Sequence, residues 1–294
     1  MMKILEKATK WQYGGGLRRI AVFAVVPVLI ALAGCGGART SESPGGSDVA
    51  SGTAVQAVST SATETTVPPA PTVDPARKMV ALTFDDGPSG TVTNGILDVL
   101  EKHGARATFF CLGNRAQEYE TTLRREIALG NQVASHSYAH KQLSKLSKTA
   151  LLEDLKMAND ALEKYSGVRP HVLRTPYGES KAELMKNVGM PVILWDIDTM
   201  DWYYKIVKND KRSEAEIERD YRKIVDEVLD HVEDGDIVLM HDLYTLTQRA
   251  ATEVVETLTK DGWQLVTIDE MFAAKGKTLE AGKYYRFARS PESA

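Results

Sequence analysis

From Lys78 onward the hydrophobic pattern of the chain switches repeatedly between short apolar runs and helical stripes. The runs Met79–Phe84, Ala107–Leu112, Gln132–Ser135, His171–Arg174, Pro191–Ile197, Ile237–Met240 and Gln264–Ile268 read as strands. Between them, Leu151, Leu155, Ala158 and Leu162 share one helical face, entered at Ser147 and stopped by Gly167. Ser213 with Glu216 has the pattern of a capping box ahead of Ile217, Tyr221, Ile224, Val228 and Val232. Asp261-Gly262 marks the turn from a further helix into the last strand. Strands alternating with helices imply a parallel α/β sheet. Seven strands rather than eight predict a distorted (β/α)7-type barrel, incompletely closed, with an open groove that suits a polymer.

Polar clusters fall at the ends of these runs. They are TFDDGP at Thr83 to Pro88, HSYAH at His136 to His140, RTPYG at Arg174 to Gly178, DTMDW at Asp198 to Trp202, and LMHD at Leu239 to Asp242. All lie at or just beyond the C-terminal end of a strand, the ends that converge on one face of a β/α barrel. Adjacent carboxylates push their pKa values apart, so Asp85 and Asp86 need different tasks. On an extended segment they point to opposite sides, which lets one hold a metal while the other faces an attacking water. Alone, D-D-G-P is more often a turn. His136 and His140, four apart, have the spacing that brings two imidazoles to one side of a helical turn. Two His and one Asp leave a position free for water, the catalytic rather than the structural zinc pattern. Arg174, Trp202 and His241 would each be unremarkable singly; their shared location at strand ends groups them with the site.

Ahead of this region the composition changes. Arg18 and Arg19 precede an apolar run from Ile20 to Ala33, then Gly34-Cys35-Gly36, which describes an export signal over residues 1–34. The run is short for a transmembrane helix. Leu32-Ala33-Gly34-Cys35 resembles the bacterial lipobox, so Cys35 is expected to be lipidated, with an uncleaved membrane anchor as the alternative. Residues 35–76 are Gly, Ser, Thr, Ala, Val and Pro with almost no large apolar side chains, which predicts a disordered tether. The folded domain is then 77–275, followed by a C-terminal tail, 276–294. A formal net charge of −4 offers no basic excess for phosphates, so nucleic acid is not an expected partner. Cys111 sits in an apolar run as a buried thiol, and no disulfide with Cys35 is expected.

With the five clusters in order and appropriately spaced, residues Lys78 to Phe272 resemble the NodB-homology polysaccharide deacetylases, carbohydrate esterase family 4. The resemblance implies a distorted (β/α) barrel and metal-dependent removal of N-acetyl, less often O-acetyl, groups from polysaccharides. It implies Asp85 as catalytic base, and Asp86, His136 and His140 as ligands of a divalent metal. Zinc is the first choice, and cobalt or nickel suit the same donors. The backbone N–H of Tyr177 matches an oxyanion donor, Arg174 the residue that orients the base, and His241 the general acid, with Leu239 two residues before it. Asp201 and Trp202 match the fourth motif, Trp202 as an apolar wall. Thr175 departs from the proline many relatives carry there, and the charged stretch Lys205 to Arg212 could reshape the groove rim. The expected substrate is an envelope polysaccharide, with N-acetylglucosamine of peptidoglycan ahead of chitin oligomers, xylan or an exopolysaccharide. The protein is expected to be monomeric and held at the extracytoplasmic face of the cell membrane by its lipid. A catalytically silent carbohydrate-binding protein is the alternative of a different class; it would lack a ligand or the base, and none is missing here.

Overall fold

The computed structural model describes residues 72–204 and 211–289. Cys35, the export signal, most of the tether and positions 205–210 of the charged stretch lie outside them. Among the described residues no helix is long and apolar enough to cross a membrane.

Strand β1, Met79–Asp85, is buried along its whole length, as expected for a parallel strand covered on both faces. It pairs with β2, Thr108–Cys111, on its C-terminal half and with β7, Gln264–Leu265, at its start. On its other edge it runs beside β6, Asp236–His241, in a register that sets Asp85 against His241. Every strand pair in the sheet is parallel, β2 continuing to β3, Gln132–Ser135, and β6 to β5, Ile197–Asp198. The ring is completed through Leu173, which bridges Ser135 on one side and Val192 of β4, Val192–Ile193, on the other. The result is a distorted parallel barrel.

Two predicted strands are broken, each for a visible reason. The run His171–Arg174 contributes only the bridge at Leu173, between Pro170 and Pro176, which have no N–H to give a ladder. The run Pro191–Ile197 splits because it changes partner: Leu194 N–H donates to Tyr285, whereas Asp196 N–H donates to Ile237 of β6. Residues beyond 275 take part here, since β8, Tyr284–Tyr285, pairs with β4 and Phe287 bridges Asp236. The last predicted strand ends early at Leu265. Thr267 and Glu270 form a capping box that starts a helix, Ile268–Ala274, inside the predicted run.

The helices follow their sequence signals closely. Ser147 caps Lys148–Ser166 by accepting the Ala150 N–H at 3.3 Å, and Gly167 ends it in the left-handed region, φ 87°. The Ser213–Glu216 capping box is reciprocal and opens Glu214–Leu229. Thr245–Lys260 ends at Asp261, before Gly262 at φ 84°. Strand alternation then divides the core. Val80, Leu82, Phe84, Val238 and Met240 face the helices, while Met79, Ala81, Phe110, Ala134 and Ile237 pack inside the barrel. Continuing the inner face of β1 beyond Met79 and Ala81 brings Thr83 and Asp85 to the mouth. The same period on β6 brings Leu239 and His241 there from Ile237. The inner face is thus apolar at the bottom and carries the chemistry at the top.

Candidate metal and acid–base centre

Asp86 is the first residue past β1 and its backbone is left-handed, φ 71°. That conformation, rather than extended alternation, separates its carboxylate from that of Asp85. Asp86 Oδ1 is buried, has no hydrogen-bond partner, and lies 3.5 Å from His136 Nε2 and 3.4 Å from His140 Nε2. A buried carboxylate oxygen without a donor is costly unless a cation completes it. The three ligand atoms lie within 4.8 Å of one another, so the donor set, two imidazoles and one carboxylate, fits a divalent metal.

The two histidines meet by a different route from the helical turn their spacing suggested. Residues 137–139 form a tight turn in which Ser137 (φ 69°) and His140 (φ 54°) are both left-handed. The Ser137 hydroxyl accepts the His140 N–H at 3.1 Å, and the rings stand 5.0 Å apart. His136 Nδ1 lies 2.8 Å from the Arg174 carbonyl. A carbonyl can only accept, so the proton is on Nδ1 and Nε2 is left as the ligand atom. Burial, and then the neighbouring His136, hold the His140 pKa below its ordinary value, which keeps the ring neutral as a ligand must be.

Next to this set stands Asp85, 3 % exposed, with Oδ2 3.6 Å from His136 Nε2. Arg174, with no exposed surface, donates from Nη1 to Asp85 Oδ1 at 2.8 Å and to Thr83 Oγ1 at 2.7 Å. Its Nε and Nη2 donate to the Ile193 and Leu194 carbonyls at 3.0 and 3.1 Å, and its guanidinium lies over Phe110 at 4.1 Å. All of these fix the fork in one pose. Burial alone would raise the Asp85 pKa; Arg174, then His136 and His241, overcome it and hold the carboxyl ionised below its usual range.

On β6, opposite Asp85 in the register, His241 Nδ1 lies 2.8 Å from Asp201 Oδ1. Asp201 Oδ2 accepts from the His241 N–H and from the Thr247 hydroxyl, both at 2.7 Å, and Oδ1 also accepts the Trp202 N–H at 2.8 Å. Burial lowers the His241 pKa, but Asp201 first, then Asp85 and Asp86, outweigh it and raise it to about 9. The imidazole is therefore charged at neutral pH with Nε2–H free to donate. Asp198 of the same cluster stays out of this pair: it accepts the Met200 N–H at 3.0 Å, and burial raises its pKa.

The remaining expected residues frame the opening. Tyr177 is left-handed (φ 64°) and 67 % exposed, with its ring edge-on to His140 at 4.7 Å. Trp202, 43 % exposed, meets Tyr203 edge-on at 6.1 Å. Leu239 is buried on the same strand face as His241. Sequence reading missed Thr83 and Thr247, which hold Arg174 and Asp201, and Trp195, which lies 5.5 Å from the Arg174 guanidinium. The strand period could have found Thr83. Thr247 opens a helix and Trp195 lies at a break in a strand, and neither position announces itself.

Fold and donor set together place the chain among hydrolase-type β/α barrels equipped for a catalytic metal. The polysaccharide deacetylase family model matches residues 72–193. The chain is 41 % identical over 209 residues to the peptidoglycan-N-acetylmuramic acid deacetylase PdaC of Bacillus subtilis, covering 71 % of this chain and 42 % of that protein. The solved PdaC structure superposes with a TM-score of 0.63 over 69 % of this chain and 94 % of the solved one. The peptidoglycan-N-acetylglucosamine deacetylase PgdA of Listeria monocytogenes is 36 % identical over 208 residues, 71 % of this chain and 41 % of its own length. A family 4 acetyl xylan esterase from Clostridium thermocellum, solved with a cobalt ion, is 27 % identical with a TM-score of 0.63, over 71 % of this chain and 98 % of the solved one. This chain belongs to the polysaccharide deacetylase family. It spans about two fifths of the length of the first two of these relatives.

Proposed function

We propose that the protein is a metal-dependent hydrolase that removes N-acetyl groups from an envelope polysaccharide, with N-acetylglucosamine of peptidoglycan as first substrate. One observation carries the reading. The metal-type triad Asp86, His136 and His140 is joined at the barrel mouth by Asp85, locked to Arg174, and by His241, locked to Asp201 and set opposite Asp85 in the β1–β6 register. A base and an acid gathered at a cation site are what amide hydrolysis needs. Held by Asp86, His136 and His140, a divalent ion, zinc in the first instance, would polarise the acetyl carbonyl and acidify the attacking water.

Within that arrangement Asp85 takes the proton of the water, and Arg174 keeps its carboxylate aimed and charged. The Tyr177 backbone N–H donates to the oxyanion of the tetrahedral intermediate. Loss of such a donor costs on the order of 3 kcal/mol. His241 gives its Nε2 proton to the departing amine, without which an amide nitrogen leaves very poorly. Asp201, accepting from Nδ1–H, holds the His241 ring in one orientation and favours the charged form that gives this proton. Trp202 offers a wall to the sugar ring or the acetyl methyl.

For location, Cys35 is the lipidated first residue of the mature chain and anchors the domain that follows it to a membrane. A monomer anchored at the extracytoplasmic face meets envelope glycans before distant polymers. The PdaC name puts N-acetylmuramic acid forward as a second candidate sugar. The test is acetate release from a panel: chitin oligomers, acetylated xylan, and peptidoglycan fragments differing in which sugar keeps its acetyl group. Release confined to xylan would overturn the N-acetyl assignment.

A further inference from the structure

Asp242 follows His241, is fully buried, and has no part in the chemistry set out above. Its carboxylate occupies the space where a side chain on Gly87 would stand: a Cβ there would meet Asp242 Oδ2 at 2.2 Å and Oδ1 at 2.3 Å. Gly87 is the residue after Asp86. Asp242 Oδ2 accepts the hydroxyl of Thr93, itself buried. The same Thr93 oxygen accepts the Ser89 N–H at 2.7 Å, and the Ser89 hydroxyl donates to the Asp242 carbonyl at 2.7 Å. Asp242 thus ties the end of β6 to the loop that leaves Asp86.

That loop carries a conformational cost. A left-handed aspartate is uncommon, and such a residue persists only when its surroundings over-determine it. The surroundings here are the Leu112 N–H on the Gly87 carbonyl at 2.9 Å, Arg115 on the Pro88 carbonyl at 2.8 Å, and the Asp242–Thr93–Ser89 lattice. Only the last reaches the strand that carries His241.

We infer that Asp242 is a positioning residue that fixes the Asp86 carboxylate against His136 and His140, and so sets the affinity of the site for its divalent ion. The inference rests on the metal-site reading. It needs an acceptor of the right shape at position 242, not a negative charge. Asparagine supplies that acceptor and alanine does not.

The experiment is zinc affinity of the full chain by competition with a fluorescent chelator, with folding followed by thermal melting. Outer partners of a metal site cost about 10–100-fold in affinity when removed. Asp242→Ala is expected to weaken zinc by about that factor, while Asp242→Asn stays within about threefold of the natural protein. Zinc bound equally well by folded Asp242→Ala, or as weakly by Asp242→Asn as by Asp242→Ala, overturns the inference alone. Should Asp242→Ala fail to fold, Thr93→Val removes the hydroxyl at nearly constant shape and must weaken zinc; unchanged affinity there overturns it too. His140→Ala is the control for the site itself. If the natural protein binds zinc no better than His140→Ala, the metal-site reading falls and takes this inference with it.

Discussion

Replacing Asp201 by Asn removes one charge at nearly constant shape, and its consequences follow from four hydrogen bonds. The carboxylate accepts from His241 Nδ1 and Trp202 N–H on Oδ1, and from His241 N–H and Thr247 on Oδ2. An amide has one acceptor oxygen, so in either orientation its NH2 faces a main-chain N–H. At least one buried donor is left unpaired, at about 1–3 kcal/mol of stability. If the NH2 faces Nδ1, the imidazole is driven to the tautomer with its proton there removed, and comparable changes cost about 10⁴-fold in kcat.

The charge has a separate readout. The His241 pKa stands at about 9 against an ordinary 6.5, a difference of about 3 kcal/mol between its protonation states. Because the folded pKa is raised, this stability is fully present below pH 6.5 and is lost as pH rises through about 9. In the metal-free protein, the His241 imidazole followed by NMR should titrate near 9 in the natural chain. In Asp201→Asn it should fall, toward or below the ordinary value, since burial is then opposed by fewer charges. The stability difference between pH 6 and pH 9.5 should shrink with it. An unchanged His241 titration in a folded Asp201→Asn protein would refute the reasoning.

Asp85→Asn should lose turnover by at least about 10²-fold while binding close to one metal per chain; loss of metal with proportional residual activity would reverse the roles of Asp85 and Asp86. His140→Ala should lose metal and activity together, as should the natural protein in chelator, reversibly on adding metal. His241→Ala should retain metal and lose far more on N-acetyl substrates than on activated aryl acetates, whose leaving group needs no proton; equal losses would remove it as the acid. Cys35→Ala should abolish metabolic labelling with a lipid precursor and leave hydrolysis of soluble oligosaccharides unchanged; label persisting in that variant would sink the lipid anchor.

Much of the fold was legible because local signals agree with the global arrangement. Ser147 and Gly167 bracket a helix by chemistry that acts within a few residues, and β1 is mostly apolar and buried from end to end because parallel strands are covered on both faces. The misreadings come where tertiary demands override a run. Pro191–Ile197 looks like one strand and is two, since neither β8 nor β6 can pair with all of it. Thr267 lies in an apolar run, yet its partnership with Glu270 three residues on favours a helix start.

The site was legible as an inventory and less so as geometry. Asp85, Arg174, Asp201 and His241 could be placed at the barrel mouth from strand ends alone. Their pairing could not, because Arg174 and Asp201 lie on other segments and meet Asp85 and His241 only once the barrel has folded. Left-handed Asp86, Ser137 and His140 were hidden for a related reason. None is glycine, so no composition signal advertises the turn, and the surrounding contacts impose it.

The central claim is that this centre hydrolyses acetamides with the help of a metal. The most direct measurement counts acetate and free glycan amines in the same sample, from peptidoglycan oligomers treated with the purified protein, with and without excess chelator. The account predicts equal amounts of the two, both abolished by chelator and restored by zinc. Acetate released without new amines, or amines still appearing in excess chelator, would contradict it.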